Sequence, residues 1–446
     1  MAGLNRVAFP SFPLCGLLVS VAVLFLMGGS SRADVQSLAL LNPALILCCG
    51  LAMLTLEREH LRDKKWFFAS FLLVFLLVAA YAVPWFGDLA TFRDTAYAST
   101  ISTIAFMPAT AWQSLFFLFA PLAVLLFAIQ SNQADLQRAL LLIVGVGTIS
   151  GIVGVLQLAG SPNGPLYFYR VTNNGSAVGL FANRNHAAVL LACIFPMLAV
   201  IAAKSPTNSH GAKQMSKAIA IAVAILLVPL ILVTGSRSGM LAAVIGLSGS
   251  ALLYSPNAYN YQRKEKGALF LPILAVTVIL ILVLTTIYFS RAEAIDRIFA
   301  EPTDANDRAD FWTSSLQLFW QYFPFGFGPG GFVQAFQLEE PLDLLGSAYL
   351  NRLHNDWLET ALTFGVSGVA LMFVGTIYYL RRSFILWARM DGERSAVALG
   401  RMASILIAIL AVASMSDYPL RTPAMAGFGA LVLVWFAHAR PSQISN

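Results

Sequence analysis

The 446-residue chain is 58% apolar and only 11% charged, whereas an ordinary soluble domain carries roughly 25% charge. With a mean hydropathy of +0.74 and recurrent apolar runs of about twenty residues, it excludes a soluble enzyme, a disordered chain, a collagen and a disulfide-stapled secreted domain. A net charge of +6 would suit a nucleic-acid partner, but this composition is not that of a DNA-binding domain, and no nucleic acid is expected.

In chain order, a window of about 19 residues predicts apolar helices near 11–29, 37–56, 66–84, 112–130, 139–159, 186–203, 218–234, 239–254, 268–289, 359–380, 396–415 and 424–438. The expected fold is all-α: a polytopic membrane protein of about 12 transmembrane helices forming one integral membrane domain over 1–446. No inter-helix segment is long and polar enough for a separate soluble domain. Arg6 precedes the first segment, as in a signal peptide, but no clear small-x-small cleavage site follows it, so a retained helix is expected.

With the N-terminus inside, the basic loops 57–65, 204–217, 262–266 and 381–394 all fall on the inner side, as the positive-inside rule requires. All lysines (Lys64, Lys65, Lys204, Lys213, Lys217, Lys264 and Lys266) are inner. The outer cations are all arginine: Arg32, Arg93, Arg170, Arg184, Arg237, Arg291, Arg297, Arg308, Arg352 and Arg421. Orientation does not need them, and two explanations fit: pairing with outer acids, or gripping a phosphate or carboxylate with the planar guanidinium fork.

Cys15, Cys48, Cys49 and Cys193 lie inside apolar spans, so neither a disulfide nor a metal site is suggested. The histidines show no ligand spacing and the inner loops hold no phosphate-binding glycine motif, so no cofactor is expected and an ATP-driven machine does not fit.

Residues 290–358 form a long outer (periplasmic) loop between the ninth and tenth spans, and loops of that length are usually functional. An interfacial helix is predicted over Arg291 to Phe299, and a second helix, with an aromatic face including Phe311, Trp312 and Phe319, over Asp307 to Tyr322. Pro324 ends it. Phe325 to Phe332, FGFGPGGF, is a turn whose backbone can approach a ligand or another helix closely. The loop closes on Arg352, His354, Asn355, Asp356 and Glu359.

Two further outer segments carry polar groups at the membrane edge: FANRNH, Phe181 to His186, and TGSRSG, Thr234 to Gly239. An arginine at membrane depth costs several kcal/mol without a counter-ion or water, so Arg237 either marks a functional site or caps a tight helical hairpin by snorkelling.

These pieces together resemble the O-antigen ligase and Wzy-type polymerase superfamily. The resemblance spans 180–423: FANRNH, TGSRSG, RADFW with PFGFGPGGF, HNDWLE leading into GVSGV, and SDYPLRTP from Ser416 to Pro423. HNDWLE carries Asp356 where many members have an uncharged residue. The resemblance implies a metal-independent, multi-pass glycosyltransferase at the periplasmic face of the bacterial inner membrane, working on glycans carried by undecaprenyl pyrophosphate among the membrane lipids. It is implied that Arg184, Arg237 and Arg308 bind the pyrophosphate and stabilise its growing charge, and that His354 is the base that takes the acceptor hydroxyl's proton.

Structural alternatives stand beside these roles. His354 also suits a cap of the tenth helix, and His186, with no acid near it in sequence, reads as structural. Asn183 and Asn185 either orient Arg184 or cap the sixth helix. Trp312 either stacks on sugar or packs at the interface, and Glu359 and Asp417 read as counter-ions for Arg352 and Arg421. Asn355 belongs to the same motif as His354. The leading function is a polymerase that moves the growing chain onto the next lipid-linked repeat. The alternative is a ligase with a lipid A core or protein acceptor. A lipid-linked sugar transporter fits less well, because the polar groups gather on one face rather than across the midplane.

Overall fold

The computed structural model describes residues 11–62, 64–83, 104–203, 210–254, 315–340, 350–388 and 394–438, and their regular elements are all helices. These are α1 (Phe12–Met27), α2 (Leu38–Leu54), α3 (Arg58–Arg62), α4 (Lys65–Ala82), α5 (Pro108–Phe117), α6 (Phe119–Gln130), α7 (Gln133–Ala159), α8 (Arg184–Ala203), α9 (His210–Val233), α10 (Arg237–Tyr254), α11 (Phe332–Glu339), α12 (Asp356–Ala388), α13 (Arg394–Ala413) and α14 (Pro423–His438). A short helical segment, 315–321, precedes α11. Among the described residues six helices are long and apolar enough to cross a membrane, and five shorter apolar ones accompany them. They occupy all the predicted spans except the ninth, 268–289, which lies outside the described residues together with Arg291 to Phe299.

Local signals set the helix ends. Ser11 caps α1 by accepting from the Leu14 N–H at 3.3 Å. The Asn132 side chain accepts from the Asp135 N–H at 3.0 Å to start α7, which stops at Gly160.

α8 is the centre of the bundle: apolar on every side, it is buried from His186 to Leu198 and packs on α7, α9, α10 and α13. Small residues let α10 approach it. A Cβ at Gly239 would stand 2.2 Å from that of Ala188, and one at Gly246 2.6 Å from the Ala192 carbonyl oxygen. Peripheral helices turn apolar residues outward instead, among them Leu47 on α2, Ile225 on α9 and Phe373 on α12. Such a surface suits lipid rather than water.

Several connections meet at one end of the bundle. The Gly29 N–H donates to the Tyr169 hydroxyl at 2.7 Å, the Ala182 N–H to the Gly29 carbonyl at 3.1 Å, and the Ala424 N–H to the Gly28 carbonyl at 2.9 Å. Lys64 reaches the Ile129 carbonyl at the opposite end. Burial pushes the Tyr169 phenol up to about 12, which keeps it a neutral acceptor for Gly29.

The tenth predicted span, 359–380, is longer than expected and is broken. α12 runs through 33 residues with Gly365 at φ +55° inside it. The FGFGPGGF turn is laid against this break: the N–H groups of Phe327 and Gly328 donate to the carbonyls of Leu362 and Thr363, and the Val366 N–H to the Pro324 carbonyl at 2.8 Å. The turn's close backbone approach is therefore to another helix.

Candidate active site

Between α13 and α14 the chain makes a 3-10 turn, Pro419–Arg421, that places Asp417 and Tyr418 beneath the N-terminus of α8. Asp417 is 1% exposed, and a buried carboxylate needs partners. Its Oδ2 accepts from the Asn185 amide at 2.6 Å and the Asn183 amide at 3.2 Å, and its Oδ1 accepts from the Tyr418 N–H at 2.9 Å. Two imidazoles face the same Oδ1: Nδ1 of His354 at 3.3 Å and Nε2 of His186 at 3.7 Å. The Tyr418 ring lies against both, with centroids 4.9 Å from His354 and 5.2 Å from His186. Burial pushes the Asp417 carboxyl up, but the hydrogen bonding and charge of the two imidazoles outweigh it and hold the group below the usual carboxylate range.

His354 has φ +55°, which no other described non-glycine residue shares in sign. An imidazole-bearing residue enters this region at a cost, of order 1–3 kcal/mol, and such strain is often found at functional sites. Its side chain is 28% exposed, while Nδ1 is buried and faces Asp417 Oδ1 at 3.3 Å as an ion-pair contact without hydrogen-bond geometry. Nε2 is thus the nitrogen that the carboxylate does not hold. An imidazole oriented through one nitrogen with the other available suits proton transfer.

A second ionic group lies alongside. Glu359, fully buried, accepts from Arg352 at 2.9 Å and from the Leu353 N–H at 3.1 Å, and it lies 3.3 Å from Arg421. Arg421 also donates to Asp356 at 2.9 Å, whose other oxygen accepts from Ser414 at 3.2 Å. Burial disfavours the charged Arg421, but Glu359 and Asp356 more than offset this, and the guanidinium stays charged. Asn355 caps α12 by accepting from the Leu358 N–H at 3.0 Å.

Beside this group opens a cleft of about 1090 Å³, lined among others by Arg32, Gln113, Gln334, Arg352, Asp356 and Arg421. Neither His354, Arg184 nor Arg237 lines it. Arg184 and Arg237 are the first residues of α8 and α10, where the Arg184 N–H donates to the Asn173 side chain at 3.0 Å. The cap of the α9–α10 hairpin is Ser236, whose hydroxyl accepts from the Gly239 N–H at 3.0 Å, so Arg237 is not needed for that task. Arg308 and Trp312 lie outside the described residues.

Two expectations change. His186 does have an acid beside it, Asp417, brought from the far end of the chain. Asp417 is a partner of the two histidines and asparagines, whereas Glu359 alone answers both Arg352 and Arg421. The amides of Asn183 and Asn185 are tied to Asp417, and the Asn183 side-chain oxygen caps α8, as expected, by accepting from the Asn185 N–H at 2.8 Å. Asp356 is Arg421's counter-ion, which accounts for a charge at that motif position. Tyr418 was not singled out from the sequence, although SDYPLRTP contains it. For Arg32 and Arg170 simple pairing holds, since Asp34 lies 2.8 Å from Arg32 and 3.7 Å from Arg170. The Arg32 hydrogen bond holds Asp34 below the usual carboxylate range, against a smaller contribution from burial.

No curated protein matches the chain. Residues 222–373 match the family described as O-antigen ligase, a stretch that takes in Arg237, Arg352, His354 and Glu359 and leaves out Asn185, His186 and Asp417. Over residues 222–373, about a third of its length, the chain is therefore similar to the O-antigen ligase family, and that stretch is set in a bundle of membrane-type helices.

Proposed function

We propose that the protein is a glycosyltransferase that polymerises glycan carried on undecaprenyl pyrophosphate at the periplasmic face of the bacterial inner membrane. The observation that carries the reading is the contact between His354 Nδ1 and the buried Asp417 carboxylate at 3.3 Å, at the end of the bundle where Arg184, Arg352 and Arg421 also gather. Asp417 orients the ring, and Nε2 takes the proton of the acceptor hydroxyl. The freed oxygen bonds to the anomeric carbon as the bond from that carbon to the pyrophosphate oxygen breaks, and the leaving pyrophosphate keeps the electron pair. Arg184, Arg237 and Arg308 neutralise its charge. This chemistry requires no metal or other cofactor.

A ligase, with a lipid A core or protein as acceptor, is the second reading. The description of the matched family favours it, and its donor chemistry is the same. Deletion of the gene followed by analysis of the surface glycan separates the two. Single repeat units on the normal acceptor support the polymerase, and accumulation of long lipid-linked polymer supports the ligase. For the chemistry itself, His354→Asn is the informative variant, because asparagine tolerates positive φ. Transfer by the purified protein is expected to vanish while a cooperative melting transition shows that the fold is kept. Retained transfer rules His354 out as the base.

A further inference from the structure

Two residues on the wall of the cleft beside Arg352 each carry a buried polar atom with no hydrogen-bond partner among the described residues: Oε1 of Gln334, an acceptor, and Nε of Arg352, a donor. Both residues line it, Gln334 from α11 and Arg352 from the segment ahead of α12. A buried polar atom left unmatched is costly, so the pair suits a ligand that both donates and accepts. A phosphate oxygen accepts from Arg352 but offers nothing to the Gln334 oxygen. A hydrocarbon chain matches neither. Hydroxyl groups donate and accept alike, and a sugar presents several of them on one ring. Gln113, also on the cleft wall, adds an amide with both functions, and Val78 and Phe332 supply apolar surface against which the C–H face of a sugar can rest. At about 1090 Å³ the space is at the upper end of ligand pockets, which run to roughly 1,000 Å³.

We propose that this cleft is a carbohydrate subsite that holds the acceptor glycan, with Gln334 and Arg352 binding its hydroxyls. The assignment to the acceptor rests on the transferase reading above. The cations assigned there to the donor pyrophosphate, Arg184 and Arg237, are not in the cleft, whereas Arg352 stands two residues from the base His354.

The test uses the full chain in detergent. The probe is the oligosaccharide repeat released by mild acid from the source cells' surface glycan, and binding is followed by saturation-transfer NMR. The wild type is expected to bind it, and Gln334→Leu, which keeps the volume and removes the acceptor, to lose about tenfold in affinity. Gln334→Glu keeps an acceptor oxygen and is expected to retain binding. In transfer assays Gln334→Leu raises the acceptor KM about tenfold and leaves kcat and the donor KM within about twofold. Its melting temperature is expected to be unchanged or higher, since an unpaired buried atom has been removed.

Equal binding by wild type and Gln334→Leu, or an effect confined to the donor KM, overturns the subsite. If His354→Asn abolishes transfer while Gln334→Leu binds as the wild type does, only the subsite fails. If Gln334→Leu loses binding while the wild type transfers no glycan, only the transferase reading fails.

Discussion

Asp417 and His354 meet at 3.3 Å although they belong to different connections, one after α13 and the other ahead of α12. A ring held in this way has one tautomer and one orientation favoured before substrate arrives. Asp417→Asn keeps the shape and removes the charge, so kcat is expected to fall about a hundredfold or more with little change in KM. Steady-state kinetics on the purified variant checks this. A fall in KM alone, with kcat intact, would place Asp417 outside the proton-transfer apparatus.

The same carboxylate makes a prediction about pH and stability. Its folded-state value lies below the usual range, because the two imidazoles outweigh the burial that pushes it up. A depressed carboxylate contributes stability that is fully present above the unfolded value, about 3.9, and is lost as pH falls through the lower folded value. The melting-temperature difference between wild type and Asp417→Asn should therefore be largest on the near-neutral side and shrink below about pH 4. Melting curves in detergent across that range read it out. A difference that grows on acidification contradicts the assignment.

Glu359 and Asp34 offer a paired comparison. Glu359 is fully buried and answers two arginines, whereas the Asp34 side chain is 49% exposed beside Arg32. Removing one partner of a buried pair strands the other, so Glu359→Gln is expected to cost about 3 kcal/mol, the lower end of the usual range because both arginines keep some exposure. Asp34→Asn is expected to cost less than about 1 kcal/mol, and less still at high salt. Equal costs in denaturation experiments would mean that Glu359 is better solvated than its burial implies.

The apolar helices were legible in the sequence because lipid-facing and core-facing residues alike must be apolar, so whole spans stand out from their connections. The arginine at the head of α10 and the histidine ahead of α12 were legible for the opposite reason, as polar groups at the edge of apolar runs. Partnership was not legible. Asp417 lies more than two hundred positions from His186, and only the packing of α13 and the following 3-10 turn on α8 brings them together. Arg421 stands four residues after Asp417 in one motif, yet the two serve different clusters because a 3-10 turn separates them. Gln334 carries no motif at all, and its interest comes from an oxygen left without a partner.

The guanidinium geometry proposed for pyrophosphate binding predicts unequal rescue. Arg184→Lys and Arg237→Lys keep the charge but lose the two-pronged hydrogen bonding, so both should remain well below wild type in transfer, with alanine variants lower again. Measuring kcat/KM for the donor in each variant checks this. Lysine at wild-type activity at both positions would reduce the requirement to charge alone.

Two glycines of α12 ought to behave in opposite ways. At Gly365 the backbone has φ +55°, and a Cβ would stand 1.9 Å from the Pro324 carbonyl oxygen, the same atom that accepts the Val366 N–H. Alanine there must enter the left-handed region and push the FGFGPGGF turn off the break in the helix. The expected cost exceeds about 3 kcal/mol, from the strained backbone and the displaced hydrogen bonds together. Gly375, ten residues further along the same helix, has nothing among the described residues within 4 Å of its Cβ position. Alanine at 375 restricts the unfolded chain without a clash, so it should be neutral or stabilising by up to about 1 kcal/mol. Thermal denaturation of the two variants in one detergent separates them, and since Gly365 fastens the turn directly ahead of α11, transfer activity should fall with stability in that variant alone. A Gly365→Ala protein as stable as wild type would show that α12 can run straight through this point, and that the turn is not held by the break.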